Sequence, residues 1–192
     1  MPLIQVVLAS TRSKRFGERP AAWVMDRLGA RTDLDAELVD LRDHPLPFYD
    51  LATPPAHAGR TYPDEVTAAW AGTIDRADGY VVVTPEYNHG VPAVLKNALD
   101  HLSIELRRKP IAYVGYGGTG AARAITQLRQ IAAEQDMAAI RSSVPILPDV
   151  MVPALKTDTF DVEMLASLDR RLDTLAADLV WWAEALKAAR KA

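Results

Sequence analysis

Five short runs of the chain are almost continuously apolar, and longer stretches between them repeat their apolar positions every three or four residues. Residues 3–9, with only Gln5 polar, read as a strand buried on both faces. Residues 37–41, 80–84, 110–116 and 143–147 read as four more strands. The first helix is expected from Pro20, which suits a first turn, with Ala21, Val24, Met25 and Leu28 on one face and Gly29 as its stop. A second helix spans residues 64–76, with Val66, Ala69, Trp70, Thr73 and Ile74 in register. A third runs to about residue 105, turning Val91, Leu95, Ala98, Leu99 and Leu102 inward. Residues 119–137 and 162–192 complete the set. In the last helix Leu165, Leu168, Leu172, Leu175, Leu179, Trp182 and Leu186 form either one stripe laid on the sheet or a coiled-coil seam.

Strands alternating with helices predict an α/β fold, a five-stranded parallel sheet covered on both faces, in the order 2-1-3-4-5. Such sheets bind ligands beyond the C-terminal ends of their strands, at the switch in strand order. The loops after strands one, three and four are therefore the candidate site. Residues 44–63 and 149–161 are read as further loops, the first too long for an ordinary connection.

The chain has 192 residues, 49% of them hydrophobic, which suits a single domain over residues 1–192 with a substantial core. A net charge of -3 speaks against nucleic acid as a partner. It also lacks the strong acidity of a carrier that docks on basic proteins. The absence of cysteine removes thiol catalysis and thiolate metal sites. There is no basic leader segment and no apolar run of membrane-spanning length, so cytoplasmic localisation without membrane insertion is expected.

After strand one, Ser10-Thr11-Arg12-Ser13-Lys14-Arg15-Phe16-Gly17 places three hydroxyls and three cations before a helix N-terminus. Free amides and the helix dipole favour a phosphate there. A solvated basic loop is the other reading. No Gly-Lys-Ser/Thr pattern supports a nucleoside triphosphate. After strand four, Gly115-Tyr116-Gly117-Gly118-Thr119-Gly120 matches G-x-G-x-x-G in form. The acidic residue a dinucleotide fold needs about 20 positions on is missing, so the glycines read as a bare-backbone shelf for a flat ring or as a plain turn. After strand three, Pro85-Glu86-Tyr87-Asn88-His89-Gly90 offers backbone donors, an aromatic edge, an amide and an imidazole. The residues His89, His101, Glu86 and Asp100 lack metal-ligand spacing, and no metal is expected.

Thr84-Pro85-Glu86-Tyr87-Asn88-His89-Gly90, continued by Val91-Pro92-Ala93-Val94-Leu95-Lys96-Asn97-Ala98-Leu99-Asp100, resembles the signature of the NADPH-dependent FMN reductases, whose relatives include quinone, azo-dye and chromate reductases. Ser10-x-Arg12-x-x-Arg15 resembles that family's phosphate loop and Tyr116-Gly117-Gly118 its glycine loop. The resemblance implies a flavodoxin-like three-layer sandwich with non-covalent FMN and NAD(P)H as co-substrate. Ser10, Arg12, Arg15, Phe16 and Gly17 would surround the 5′-phosphate. Pro85, Glu86, Tyr87, Asn88, His89 and Gly90 would line the isoalloxazine, and Tyr116, Gly117 and Gly118 would close its other side. Family members often carry Ser before Tyr-Gly-Gly, where this chain has Gly115.

The resemblance further implies ping-pong hydride transfer to a small acceptor such as a quinone, free flavin, azo compound or metal oxyanion, with a homodimer or homotetramer as the working form. No catalytic side chain is assigned, because the cofactor carries the chemistry. His89 is read as a hydrogen-bonded loop imidazole and not as a general acid. The competing readings are a non-enzymatic electron carrier and a flavin-free interaction protein. Residues 44–63 and 149–161 are expected to select the acceptor, and Phe48, Tyr49 and Tyr62 either cover the ring or pack their loop.

Overall fold

In the computed structural model, which describes residues 1–157 and 159–191, the apolar runs pair as parallel strands. They are β1 (Leu3–Leu8), β2 (Asp35–Asp40), β3 (Gly79–Pro85), β4 (Pro110–Tyr116) and β5 (Ala138–Ile146). Their order is β2-β1-β3-β4-β5, as the alternation of elements predicted. The helices are α1 (Glu18–Gly29), α2 (Pro55–Ala58), α3 (Glu65–Asp75), α4 (Ala93–Asp100), α5 (Ala122–Glu134), α6 (Pro148–Leu155) and α7 (Asp169–Lys191).

Period-two alternation sends successive strand residues to opposite cores. Ile4, Val6, Leu8, Val81, Val83 and Val114 pack with Trp23, Val24, Leu172 and Leu179 of α1 and α7. Val7, Val39, Val82, Ile111 and Tyr113 pack with Trp70, Leu95, Leu99 and Leu128 of α3, α4 and α5. Gln5 is the polar member of β1. It is fully buried, and its amide donates to Glu37 at 3.0 Å and to the Thr73 carbonyl at 2.7 Å. The stripe on α7 lies on the sheet: Leu172, Leu175 and Leu179 are buried, whereas Trp182 is exposed and Leu186 partly so. No helix among the described residues is long and apolar enough to cross a membrane.

Several boundaries differ from the sequence reading. The last strand begins at Ala138, not at 143, because β4 offers it a ladder that its own alanines do not ask for. The segment read as loop 149–161 holds α6, which starts on Pro148 in its first turn. The final helix opens as 3-10 turns over Val162–Leu168 and becomes α-helical at Asp169. Helix α1 begins at Glu18, two residues before Pro20, and α4 ends at Asp100, short of the expected 105. In the 44–63 loop, Tyr49 packs edge-on against His101 with ring centroids 5.4 Å apart, and Tyr62 donates to Glu105 at 2.5 Å. Both therefore pack their loop, while Phe48 stays exposed.

Candidate functional site

Parallel pairing of β1 with β3 and β3 with β4 brings three chain reversals side by side. The register sets Leu8 beside Val83 and Pro85 beside Tyr116. Between the reversals lies a cavity of about 330 Å³. Its walls include Ser10, Arg12, Arg15, Phe16, Pro85, Glu86, Tyr87, Tyr116 and Gly117. Gly17, Asn88, His89, Gly90 and Gly118, also named from the sequence, lie outside this wall. Lys14 of the first loop and Met151 and Leu155 of α6 complete it. The sequence did carry a signal for α6: Val150, Met151, Ala154 and Leu155 follow Pro148 at helical spacing.

The first reversal leads into α1, whose N-terminus has no side-chain cap among the described residues. Among the described residues, no backbone carbonyl accepts from the amides of Thr11, Arg12, Ser13 and Lys14. The Arg15 side chain is buried, and four of its N–H groups are engaged. Nε donates to Glu18 at 3.0 Å, Nη1 to Asp40 at 2.7 Å and to the Ser10 carbonyl, and Nη2 to the other Asp40 oxygen. These donors of Arg15 are thus engaged by Asp40, Glu18 and the loop itself, while Arg15 remains part of the cavity wall. Arg12 carries no such ties among the described residues, and its guanidinium lies 5.8 Å from the centroid of the Tyr87 ring.

The second reversal is a tight turn. Tyr87 and Gly90 exchange backbone hydrogen bonds of 3.1 and 2.9 Å, and Asn88 and His89 both have positive φ, 49° and 66°. These are the features of a type I′ turn. The turn leaves the Asn88 and His89 amides without a backbone acceptor among the described residues. Glu86 precedes it and is turned onto α5. Its carboxylate accepts from the Arg123 amide at 2.9 Å and Arg123 Nε at 2.7 Å. Burial alone would raise the Glu86 carboxyl, but the bonds from the Arg123 side chain and from the Arg123 and Ala124 amides hold it below its ordinary value. Gln127, one helical turn on, accepts from the Val91 amide at 3.2 Å and donates to the His89 carbonyl at 3.3 Å. Glu86 and His89 thus join this loop to α5, a role not expected from the sequence.

In the third reversal, Gly117 has φ of 130° and Gly120 of 60°, and the Gly120 amide donates to the Gly117 carbonyl at 3.0 Å. The loop folds back so closely that a Cβ on Gly115 would lie 2.4 Å from the Gly120 carbonyl oxygen. Gly115 is therefore a packing requirement. Tyr116 stands edge-on to Phe16 with centroids 5.3 Å apart. Burial pushes its phenol up, so it stays a protonated donor at neutral pH. That hydroxyl is buried and has no hydrogen-bond partner among the described residues. A Cβ on Gly17 would come within 2.6 Å of it, so the glycine lets the phenol reach the α1 N-terminus.

Loop amides without a backbone acceptor among the described residues, an orphan phenol and Arg12 give the cavity the donors that suit an anion. Tyr87, which opens the turn, and Gly117 of the glycine loop border the same cavity. The cavity lies at the topological switch point of the sheet, where doubly wound α/β proteins bind their ligands. The sequence profile of the NADPH-dependent FMN reductases matches residues 2–150, and the chain belongs to that family. An NAD(P)H-dependent FMN reductase of Schizosaccharomyces pombe is 41% identical over 152 residues, 79% of this chain and 74% of the relative. A 2-hydroxy-1,4-benzoquinone reductase of a Burkholderia species is 35% identical over 141 residues, 70% and 72% of the two chains. The fold is shared with FerB, a flavoenzyme NAD(P)H:(acceptor) oxidoreductase from Paracoccus denitrificans. That structure superposes with a TM-score of 0.68 at 21% identity and covers 96% of this chain and 98% of the other. The chain is an oxidoreductase of the FMN- and NAD(P)H-dependent type.

Proposed function

We propose that the chain, as one domain over residues 1–192, holds FMN non-covalently in this cleft and reduces a small acceptor. Its chemistry is hydride transfer from NAD(P)H to bound FMN and then, in a second half-reaction, onward to a quinone, free flavin, azo compound or metal oxyanion. The observation that carries the reading is the convergence of an uncapped helix N-terminus, an unpartnered buried phenol and a glycine loop on one cavity.

Ser10, Arg12, Phe16 and Gly17 would hold the 5′-phosphate, joined by Lys14 from the cavity wall and with Arg15 behind the loop. Pro85 and Glu86 carry the chain to the ring, and Tyr87, Asn88, His89 and Gly90 present their turn to it. Tyr116, Gly117 and Gly118 form the opposite wall. Amide donors aimed at the polar edge of the ring would stabilise negative charge there, as donors of an oxyanion hole do. No side chain is needed as acid or base. Met151 and Leu155 of α6 add an apolar border.

The working unit in this reading is a homodimer or homotetramer in the cytoplasm. The resemblance of the three loops supports the first, and the supply of reduced nicotinamide nucleotides inside cells supports the second. Purification, a visible spectrum and anaerobic addition of NADPH test the proposal. A yellow protein that bleaches with NADPH and regains colour with a quinone supports it. A colourless protein that FMN cannot load overturns it.

A further inference from the structure

We infer that Asp40 and Arg42 are positioning residues for the anion-binding loop, acting on its carbonyl face so that its amides face the phosphate. The inference rests on the FMN reading of the cleft.

Asp40 closes β2 and stands opposite Leu8 of β1, two residues before Ser10. Its carboxylate receives both terminal nitrogens of Arg15 and also the Arg42 amide, at 2.9 Å. Glu18, at the start of α1, accepts from Arg15 Nε and Arg42 Nη1, each at 3.0 Å. Asp40, Arg15, Glu18 and the Arg42 guanidinium thus form a chain beneath the loop, which the Arg42 backbone amide closes on Asp40. From it Arg15 donates to the Ser10 carbonyl, and Arg42 donates to the Arg12 carbonyl and reaches the Thr11 carbonyl at 3.5 Å.

Three successive carbonyls are therefore drawn to one side. In a trans planar peptide the N–H points opposite to the C=O of the same unit. Fixing the Ser10, Thr11 and Arg12 carbonyls on the guanidiniums fixes the Thr11, Arg12 and Ser13 amides on the opposite side. Those amides have no backbone acceptor among the described residues. Successive N–H groups facing one way make an anion-binding concavity. Preorganising them removes an ordering cost that phosphate binding would otherwise carry. The negative charges of Asp40 and Glu18 neutralise the arginines, which keeps the buried Arg15 cation in place.

The test compares FMN with riboflavin, which lacks the phosphate. Dissociation constants for both, read by flavin fluorescence quenching of the apoprotein, are measured for wild type, Asp40→Asn and Arg42→Gln. Arg42 is exposed, so its variant guards against a folding failure at Asp40, and circular dichroism checks both. The wild type is expected to bind FMN much more tightly than riboflavin. Each variant is expected to weaken FMN at least about tenfold while riboflavin changes by less than about threefold. Variants that weaken both flavins equally, or neither, overturn the positioning role. A wild type that binds the two flavins equally overturns the phosphate assignment itself, and one that binds neither overturns the FMN reading.

Discussion

Ser10 and Tyr87 lie 77 positions apart in the chain, and their hydroxyls share a hydrogen bond of 2.8 Å. The bond closes the first and second reversals on one another, and it exists only because β3 pairs directly with β1. With the Arg12 guanidinium over the Tyr87 ring, it fixes the angle between the anion-binding end of the cleft and its ring-binding end. Tyr87→Phe keeps the ring and removes the bond. It is expected to lower stability by about 1 kcal/mol, measured by urea unfolding at neutral pH. An unchanged midpoint would show that solvent replaces the bond at no cost.

Glu86 satisfies the start of α5 and pairs with Arg123 while sitting in the second reversal. Glu86→Gln should lose about 1–3 kcal/mol at pH 7. The pH dependence has a definite sign. The folded-state pKa lies below the ordinary 4.5, so the unfolded chain takes up the proton first as pH falls. The stabilisation is complete above about pH 4.5 and is lost as pH drops through the folded value. Acid unfolding of the wild type should therefore show a component that the glutamine variant lacks. Superimposable acid profiles would refute this.

Gly115→Ser forces a Cβ to within 2.4 Å of the Gly120 carbonyl oxygen. Backbone must move, and the expected loss is about 1–3 kcal/mol, seen as a lower melting temperature. A serine variant as stable as wild type would mean that the glycine loop moves freely.

His89 sits in the left-handed region at φ of 66° as a turn residue, with its carbonyl accepting from Gln127. His89→Gly should stay within about 1 kcal/mol of wild type, because glycine adopts this conformation freely and loses that advantage in unfolded-chain entropy. His89→Val should lose about 1–3 kcal/mol through backbone strain. The glycine variant should also retain NADPH-dependent turnover, since no proton transfer is assigned to the imidazole. Loss of turnover in a folded, flavin-loaded His89→Gly would reinstate His89 as a participant in the chemistry.

The sequence by itself determined the sheet, its order and the three reversals that matter. Each depends on local pattern: β-branched runs such as residues 80–84 can be buried only as strands, and a parallel alternation leaves few topologies. The Thr84 to Gly90 motif also sits within one short stretch, so it was legible without a structure. Tertiary structure decided what the polar side chains do there. The sequence shows Arg15 beside the candidate phosphate loop but not that Asp40, 25 positions away, engages its guanidinium. The sequence shows Glu86 in the second reversal but not that Arg123, 37 positions on, engages its carboxylate. Met151 and Leu155 reach the cavity only because α6 folds over it. A charged group binds whichever partner the fold brings within about 3 Å, and local sequence carries no record of that distance.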